Sequence, residues 1–210
     1  VNLIACQVAY FLFRTPKKIC RIRSNSYVNA EKLFGNEAIP VDVVISPEQI
    51  VSHYIKSLLS LPGALQVLDF AKGKVQLVAV RAEQGGPLVG KEIRYLREHM
   101  PNIDTRVAAI FRQNRPIMPQ GDTVIEVDDE VFFIAARDHI REVMSELRKV
   151  DKPYKRIMIA GGGNIGERLA MSIEDKFKIK LIEISERRCE ALAEKLSHAT
   201  VLHGDASDQA

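Results

Sequence analysis

Hydrophobic positions change period along the chain, and the changes mark its elements. Asn2 to Phe13 is nearly continuous in apolar residues and reads as a buried helix, closed by Thr15-Pro16. Lys18 to Arg23 reads as a strand, and Val28 to Phe34 as a short helix stopped at Gly35. Val41 to Ile45 is an almost wholly apolar strand, the pattern of a sheet covered on both faces. Ser46-Pro47-Glu48-Gln49 opens a helix, with Ser46 as cap, Pro47 in the first turn and Gln49 completing a capping box. Ile50, Val51, Tyr54, Ile55, Leu58 and Leu59 form one broad stripe on it, suited to a core or to a partner surface. Pro62-Gly63 ends that helix.

From Val67 the texture changes. Val75 to Val80 reads as a strand, Gln84 to Pro87 as a break, and Val89, Ile93, Leu96 and Met100 as a helical stripe. Arg106 to Phe111 is a further strand, and Arg112 to Asp122 is polar. Val124 to Val127 and Val131 to Ala135 flank Asp128-Asp129-Glu130 and read as a hairpin with a solvated acidic tip. Ile140, Val143, Met144 and Leu147 mark another helix. The stretch is an α+β module of about 85 residues, within the usual size of a domain. Asp151-Lys152-Pro153 is polar and helix-breaking and closes it.

Arg156 to Ala160 then reads as a strand that runs directly into Gly161-Gly162-Gly163-Asn164-Ile165-Gly166. A helix striped by Ile165, Leu169 and Ile173 follows, which is the context a GxGxxG motif needs to mean something. Gly161 permits the tight turn, Gly163 lets a pyrophosphate approach the backbone, and Gly166 lets the helix pack close to the strand. First-turn N–H groups without intrahelical acceptors face the phosphates. The next strand, Ile179 to Ile184, carries Glu183 twenty-two residues after Gly161, where an acid accepts the adenosine ribose hydroxyls. That carboxylate favours NAD over NADP, while Arg187 and Arg188 close by weaken the preference. Ser185 caps a helix striped by Cys189, Leu192, Ala193 and Leu196. Thr200 to His203 is a third strand, ending at Gly204-Asp205-Ala206 on the adenine side. Asp205 either bonds the base or shapes a turn. The order of elements is that of a βαβαβ half-domain.

Composition narrows the classes. A chain that is 46% hydrophobic and 27% charged is globular, and a net charge of +3 without a basic stripe argues against nucleic acid. Cys6, Cys20 and Cys189 share no CxxC spacing and read as reduced thiols in a cytosolic protein. The five histidines lack the pairing of a zinc site. The opening apolar run is shorter than the about 20 residues of a bilayer span and has no signal-peptide pattern. It reads as the interior of a fragmentary core.

The stretches NLIACQVAY (Asn2 to Tyr10), Val41 to Gln49, PGALQVL (Pro62 to Leu68), HMPNIDTRVAAIF (His99 to Phe111), DEVFFIAA (Asp129 to Ala136) and Lys155 to Gly166 resemble the TrkA-like RCK (KTN) family over the whole chain. The resemblance implies an α/β fold, with Rossmann-like RCK_N half-domains flanking an α+β RCK_C domain. On that map residues 1–61 are the C-terminal half of a first RCK_N domain with its crossover helix. Residues 67–150 are the RCK_C domain, and 154–210 are the N-terminal βαβαβ half of a second RCK_N domain. It further implies a cytoplasmic regulatory subunit, peripheral on the inner face of the membrane, that binds NAD+ or NADH, or ATP or ADP at equivalent sites, and gates a Trk-type membrane potassium-transport subunit. By that likeness the pyrophosphate loop maps to Gly161, Gly162, Gly163, Asn164, Ile165 and Gly166, the ribose acid to Glu183, and the base-side turn to Asp205 and Ala206. Arg21 takes the place of an arginine that contacts nucleotide in the family, or is a surface strand arginine. Neither Rossmann domain is complete within the chain, so the late half is expected to pack against an early half, in the same chain or by exchange within a homo-oligomer. The rival reading, an NAD-dependent oxidoreductase, would need His99 or His139 as acid–base groups, and neither has an evident carboxylate partner in the sequence; the other alternative is a regulator of a different RCK-controlled channel or antiporter. The expectation is a regulator without catalytic residues or metal ligands.

Overall fold

The computed structural model describes residues 2–23, 27, 33–35, 38–149 and 151–208. It forms two compact units, one of residues 54–155 and one that joins residues 1–53 with 156–210.

The 54–155 unit is built on an antiparallel sheet. Its strands are β3 (Ala64–Phe70), β4 (Val75–Arg81), β5 (Thr105–Arg112), β6 (Arg115–Ile117) and β7 (Glu130–Ala136), in the order β3-β4-β7-β5-β6. Alternation on β7 buries Val131, Phe133 and Ala135 on one face. The closing helix α4 (Ile140–Leu147) lays Ile140, Val143, Met144 and Leu147 on that core, the i, i+3, i+4, i+7 stripe that the sequence shows.

Four expectations fail in this unit. The helix striped by Val89 to Met100 shrinks to α3 (Tyr95–His99), because the amides of Gly90, Ile93 and Arg94 bond instead to Ile125, Thr123 and Gly121 carbonyls. That pairing also takes residues 123–125 away from β7, so the expected hairpin around 128–130 does not form. The hairpin partner of β5 is β6, inside the stretch read as merely polar. Nor is the acidic tip solvated throughout: Asp128 is exposed, but Asp129 is not. Asp129 is 0% exposed and accepts two bonds from Arg112, Nε to Oδ1 at 2.8 Å and Nη2 to Oδ2 at 2.9 Å, plus the Glu126 amide at 2.9 Å. Arg112 also donates to the Val124 carbonyl, so one guanidinium holds the whole turn.

The other unit carries two parallel sheets. In the first, β1 (Ile19–Arg21) pairs with β2 (Val43–Ile45), followed by α2 (Pro47–Ser60), whose first turns lie in this unit. Helix α1 (Asn2–Phe11) packs on β1 over a small core of Cys6, Cys20, Ile22 and Val41. Beside it the buried Lys18 ammonium meets Asp42 at 2.9 Å and lies 4.9 Å from the Tyr10 ring centre. Here too the sequence reading is corrected. Cys6 is the buried residue of α1, while Ile4, Phe11, Leu12 and Phe13 are exposed. Val43 and Ile45 are exposed, so β2 is not covered on both faces. On α2 the polar Glu48 and Ser52 are buried while Ile50 and Val51 of the apolar stripe face outward. Ser46 starts α2 through its carbonyl, which accepts from Gln49 and Ile50, and not through its side chain. Most of the helix expected at Val28 to Phe34 lies outside the described residues.

In the second sheet, β8 (Arg156–Ala160), β9 (Lys178–Glu183) and β10 (Thr200–His203) run parallel in the order β10-β9-β8. Helices α5 (Asn164–Ile173) and α6 (Glu186–Lys195) connect them. Ile159, Leu169, Ala170, Ile173, Ile179, Leu181 and Leu192 are buried. A strand order of 3-2-1 with helical crossovers is one half of a Rossmann sheet, with the ligand crevice at the carboxyl ends of its strands.

Candidate nucleotide site at the glycine loop

Strand β8 ends where the chain must turn sharply. Gly161 supplies a φ of 97° there, and its amide extends the parallel ladder by donating to the Ile182 carbonyl at 2.8 Å. A Cβ on Gly166 would stand 2.0 Å from the Gly161 oxygen, so helix α5 can approach the loop only without a side chain at that position. Gly163 differs from both. Its φ is −64°, an ordinary value, and a Cβ there would meet nothing within 4 Å. The space above it is open.

The first helical bond of α5 runs from the Glu167 amide to the Gly163 carbonyl at 2.9 Å. The amides of Asn164, Ile165 and Gly166 therefore precede any acceptor within the helix, and no side chain caps them. Open space, unpaired amides and the positive end of a helix together suit an anion.

Glu183 closes β9 beside this loop and is 8% exposed. Its Oε2 accepts the Gly162 amide at 2.7 Å and its Oε1 the Ser185 amide at 2.9 Å. Those two bonds, Ser185 first, hold the carboxyl below its ordinary pKa against the opposing effect of burial, with help from the Arg188 charge. Each oxygen retains a lone pair, so the group can still accept from hydroxyls.

At the end of β10, Gly204 donates to the Glu183 carbonyl at 3.0 Å, which sets the turn after β10 next to the acid. Asp205 Oδ1 accepts both the amide and the hydroxyl of Ser207, at 2.8 and 2.7 Å, and these bonds lower its pKa. Asp205 thus shapes the turn, of which Ala206 is an exposed part. Arg21 stands on the other sheet, with Nη2 3.8 Å from Glu48 Oε1, an oxygen Arg23 also approaches at 3.8 Å. One turn along α2, the Ser52 hydroxyl reaches the Ile165 carbonyl at 3.5 Å, the bond that ties this segment to the first turn of α5.

Residues 77–148 match the TrkA-C domain family and residues 157–210 the TrkA-N domain family. The Trk system potassium uptake protein TrkA of Halomonas elongata is 59% identical over 209 residues, covering 100% of this chain and 46% of the relative. That of Haemophilus influenzae is 49% identical over 210 residues, with 100% and 46% covered. The chain belongs to the TrkA family. It spans about half the length of these TrkA relatives. Among solved structures, the GsuK RCK domain superposes with a TM-score of 0.60 at 16% identity, covering 99% of this chain and 43% of that one. The GsuK channel bound to NAD gives 0.58 at 16%, with 99% and 35% covered. At such identity the likeness speaks to fold: Rossmann-like parallel sheets with an α+β TrkA-C domain.

Two features of this TrkA-family chain escaped the sequence reading. Both histidines have acidic neighbours: His99 Nδ1 lies 2.8 Å from Glu146 Oε2, and His139 Nδ1 lies 3.6 Å from Glu142 Oε1. The first pair is a hydrogen bond that bridges α3 and α4; the second, at the α4 start, is a contact too long for a hydrogen bond. The other missed feature is the Arg188 guanidinium, which donates to the Gly162 carbonyl at 2.7 Å. Sequence showed a charge near the acid; only the first turn of α6 shows where it reaches. Among the described residues no group of three or more His, Cys, Asp or Glu side chains could hold a metal, and Cys6, Cys20 and Cys189 are free. Among those residues no helix is long and apolar enough to cross a membrane.

Proposed function

We propose that this chain is an adenine-dinucleotide-sensing part of a cytoplasmic regulator of potassium uptake, with NAD+ or NADH as ligand. The observation that carries the reading is the loop itself: amides at 164–166 without helical acceptors, open space at Gly163, and Glu183 one hydrogen bond away. Asn164, Ile165 and Gly166 would hold the diphosphate, Glu183 the adenosine ribose, and the turn at Asp205 and Ala206 would border the base. The names of the relatives support potassium uptake as the process. The NAD-bound GsuK channel supports the class of ligand for this fold.

Such a site needs no nucleophile or general base. Its output is differential affinity: a nucleotide that binds one arrangement of the regulator more tightly shifts the population towards it. In this reading the partner is a Trk-type membrane transport subunit, met at the inner face of the membrane. The regulator is a homo-oligomer in which Rossmann halves complete one another within or between chains. ATP and ADP share the diphosphate and adenosine that the loop recognises and are secondary ligands.

Calorimetric titration with NADH, NAD+, ATP and ADP tests this directly. Saturable 1:1 binding of NADH, with no turnover of the dinucleotide, is the expected result. Absence of binding by all four would end the ligand proposal, and steady oxidation or reduction of the nicotinamide would favour the oxidoreductase instead.

A further inference from the structure

The peptide group between Gly162 and Gly163 has glycine on both sides, so no Cβ opposes its rotation. Such a plane can flip at little cost and turn its N–H from one side of the loop to the other. Because a trans peptide holds C=O and N–H antiparallel, fixing one fixes the other. The Arg188 guanidinium fixes the carbonyl: Nη2 donates to the Gly162 oxygen at 2.7 Å. The Gly163 amide is therefore aimed away from Arg188.

The neighbouring peptide is held as firmly. The Gly162 amide donates to Glu183 Oε2 at 2.7 Å, and a Cβ on Gly162 would come within 2.3 Å of Leu192 Cδ1. The Arg188 amide in turn donates to the Ser185 carbonyl at 3.0 Å, which seats Arg188 in the first turn of α6. A cation and an anion from one short segment thus grip the two sides of a single glycine.

We propose that Arg188 is a positioning residue for the diphosphate. By anchoring the Gly162 carbonyl it points the Gly163 amide at the ligand oxygens, so the loop is shaped before nucleotide arrives. This rests on the nucleotide reading of the site. It assigns Arg188 to the phosphates through the backbone, not to the ribose, and the bond to Gly162 separates Arg188 from its neighbour Arg187. Preorganisation of this kind strengthens binding by removing an ordering cost from the binding step.

The test compares Arg188→Leu, Arg188→Lys and Arg187→Leu, each titrated with NADH, ADP and adenosine. Arg188→Leu should weaken NADH and ADP by about tenfold, the effect expected for one charge-assisted hydrogen bond, while adenosine changes less than twofold. Arg188→Lys, which keeps a cationic donor, should recover most of the loss, and Arg187→Leu should bind as the parent does. Parent-like NADH affinity in Arg188→Leu overturns the proposal, as does an equal loss of NADH and adenosine. The nuclear magnetic resonance shift of the Gly163 amide in the ligand-free protein gives a separate reading. A shift in Arg188→Leu supports the clamp, and an unmoved Gly163 resonance overturns it. If the parent protein binds none of the three ligands, the nucleotide reading fails, and the amide shift still decides the clamp.

Discussion

At the residue scale the three glycines of the proposed site make unequal demands, and substitution separates them. Gly163 has an ordinary φ and open space around its missing Cβ, so a side chain there would meet the proposed ligand and not the protein. Gly163→Leu should abolish measurable NADH binding with little change in the thermal midpoint. Gly166→Ala places a Cβ 2.0 Å from a carbonyl oxygen and should lower the stability of the 156–210 segment whether or not ligand is present. Glu183 adds a pH dependence. Its folded pKa lies below the usual glutamate value, so its stabilising contribution is complete above the unfolded pKa and is lost as pH falls through the folded one. Protonation also removes an acceptor from the Gly162 amide. NADH affinity should therefore fall only once the pH drops below the ordinary glutamate range, measured in titrations at stepped pH. Constant affinity down to denaturation would remove Glu183 from the site. The loop was legible in sequence because its spacing follows from backbone geometry. The reach of Arg188 was not, since it depends on how the first turn of α6 is seated against that loop.

At the element scale, legibility followed the source of each element's partners. The α4 stripe and the β7 alternation are complete within their own residues, and both read correctly. Val124 to Val127 alternates like a strand, but its carbonyl and amide partners come from Gly90, Lys91, Arg112 and Asp129, and local periodicity holds no record of them. The same limit applies to α2. Its apolar stripe gives no hint that Glu48 and Ser52 lie on the buried side. The Arg112–Asp129 pair is the clearest energetic feature of the antiparallel unit. Arg112→Ala leaves a fully buried carboxylate with a single amide donor and should destabilise that unit by roughly 3 kcal/mol. Urea unfolding followed by circular dichroism measures this, and a loss below about 0.5 kcal/mol, the range of ordinary surface changes, would show that the pair is dispensable.

At the scale of the whole molecule the chain's two ends share one compact unit, while residues 54–155 form the other around their own core. A chain ending at residue 155 should keep the antiparallel unit folded but expose residues 1–53 to limited proteolysis. Cleavage confined to the 54–155 unit would be the opposite outcome. The most direct measurement of the central claim is the map of backbone amide shifts as NADH is added. The largest changes should fall at Asn164, Ile165, Gly166 and the Glu183–Ser185 turn, leaving β4, β5 and β7 unmoved. Saturable binding with its largest shifts in the antiparallel sheet, and none at 161–166, would contradict the assignment of the site.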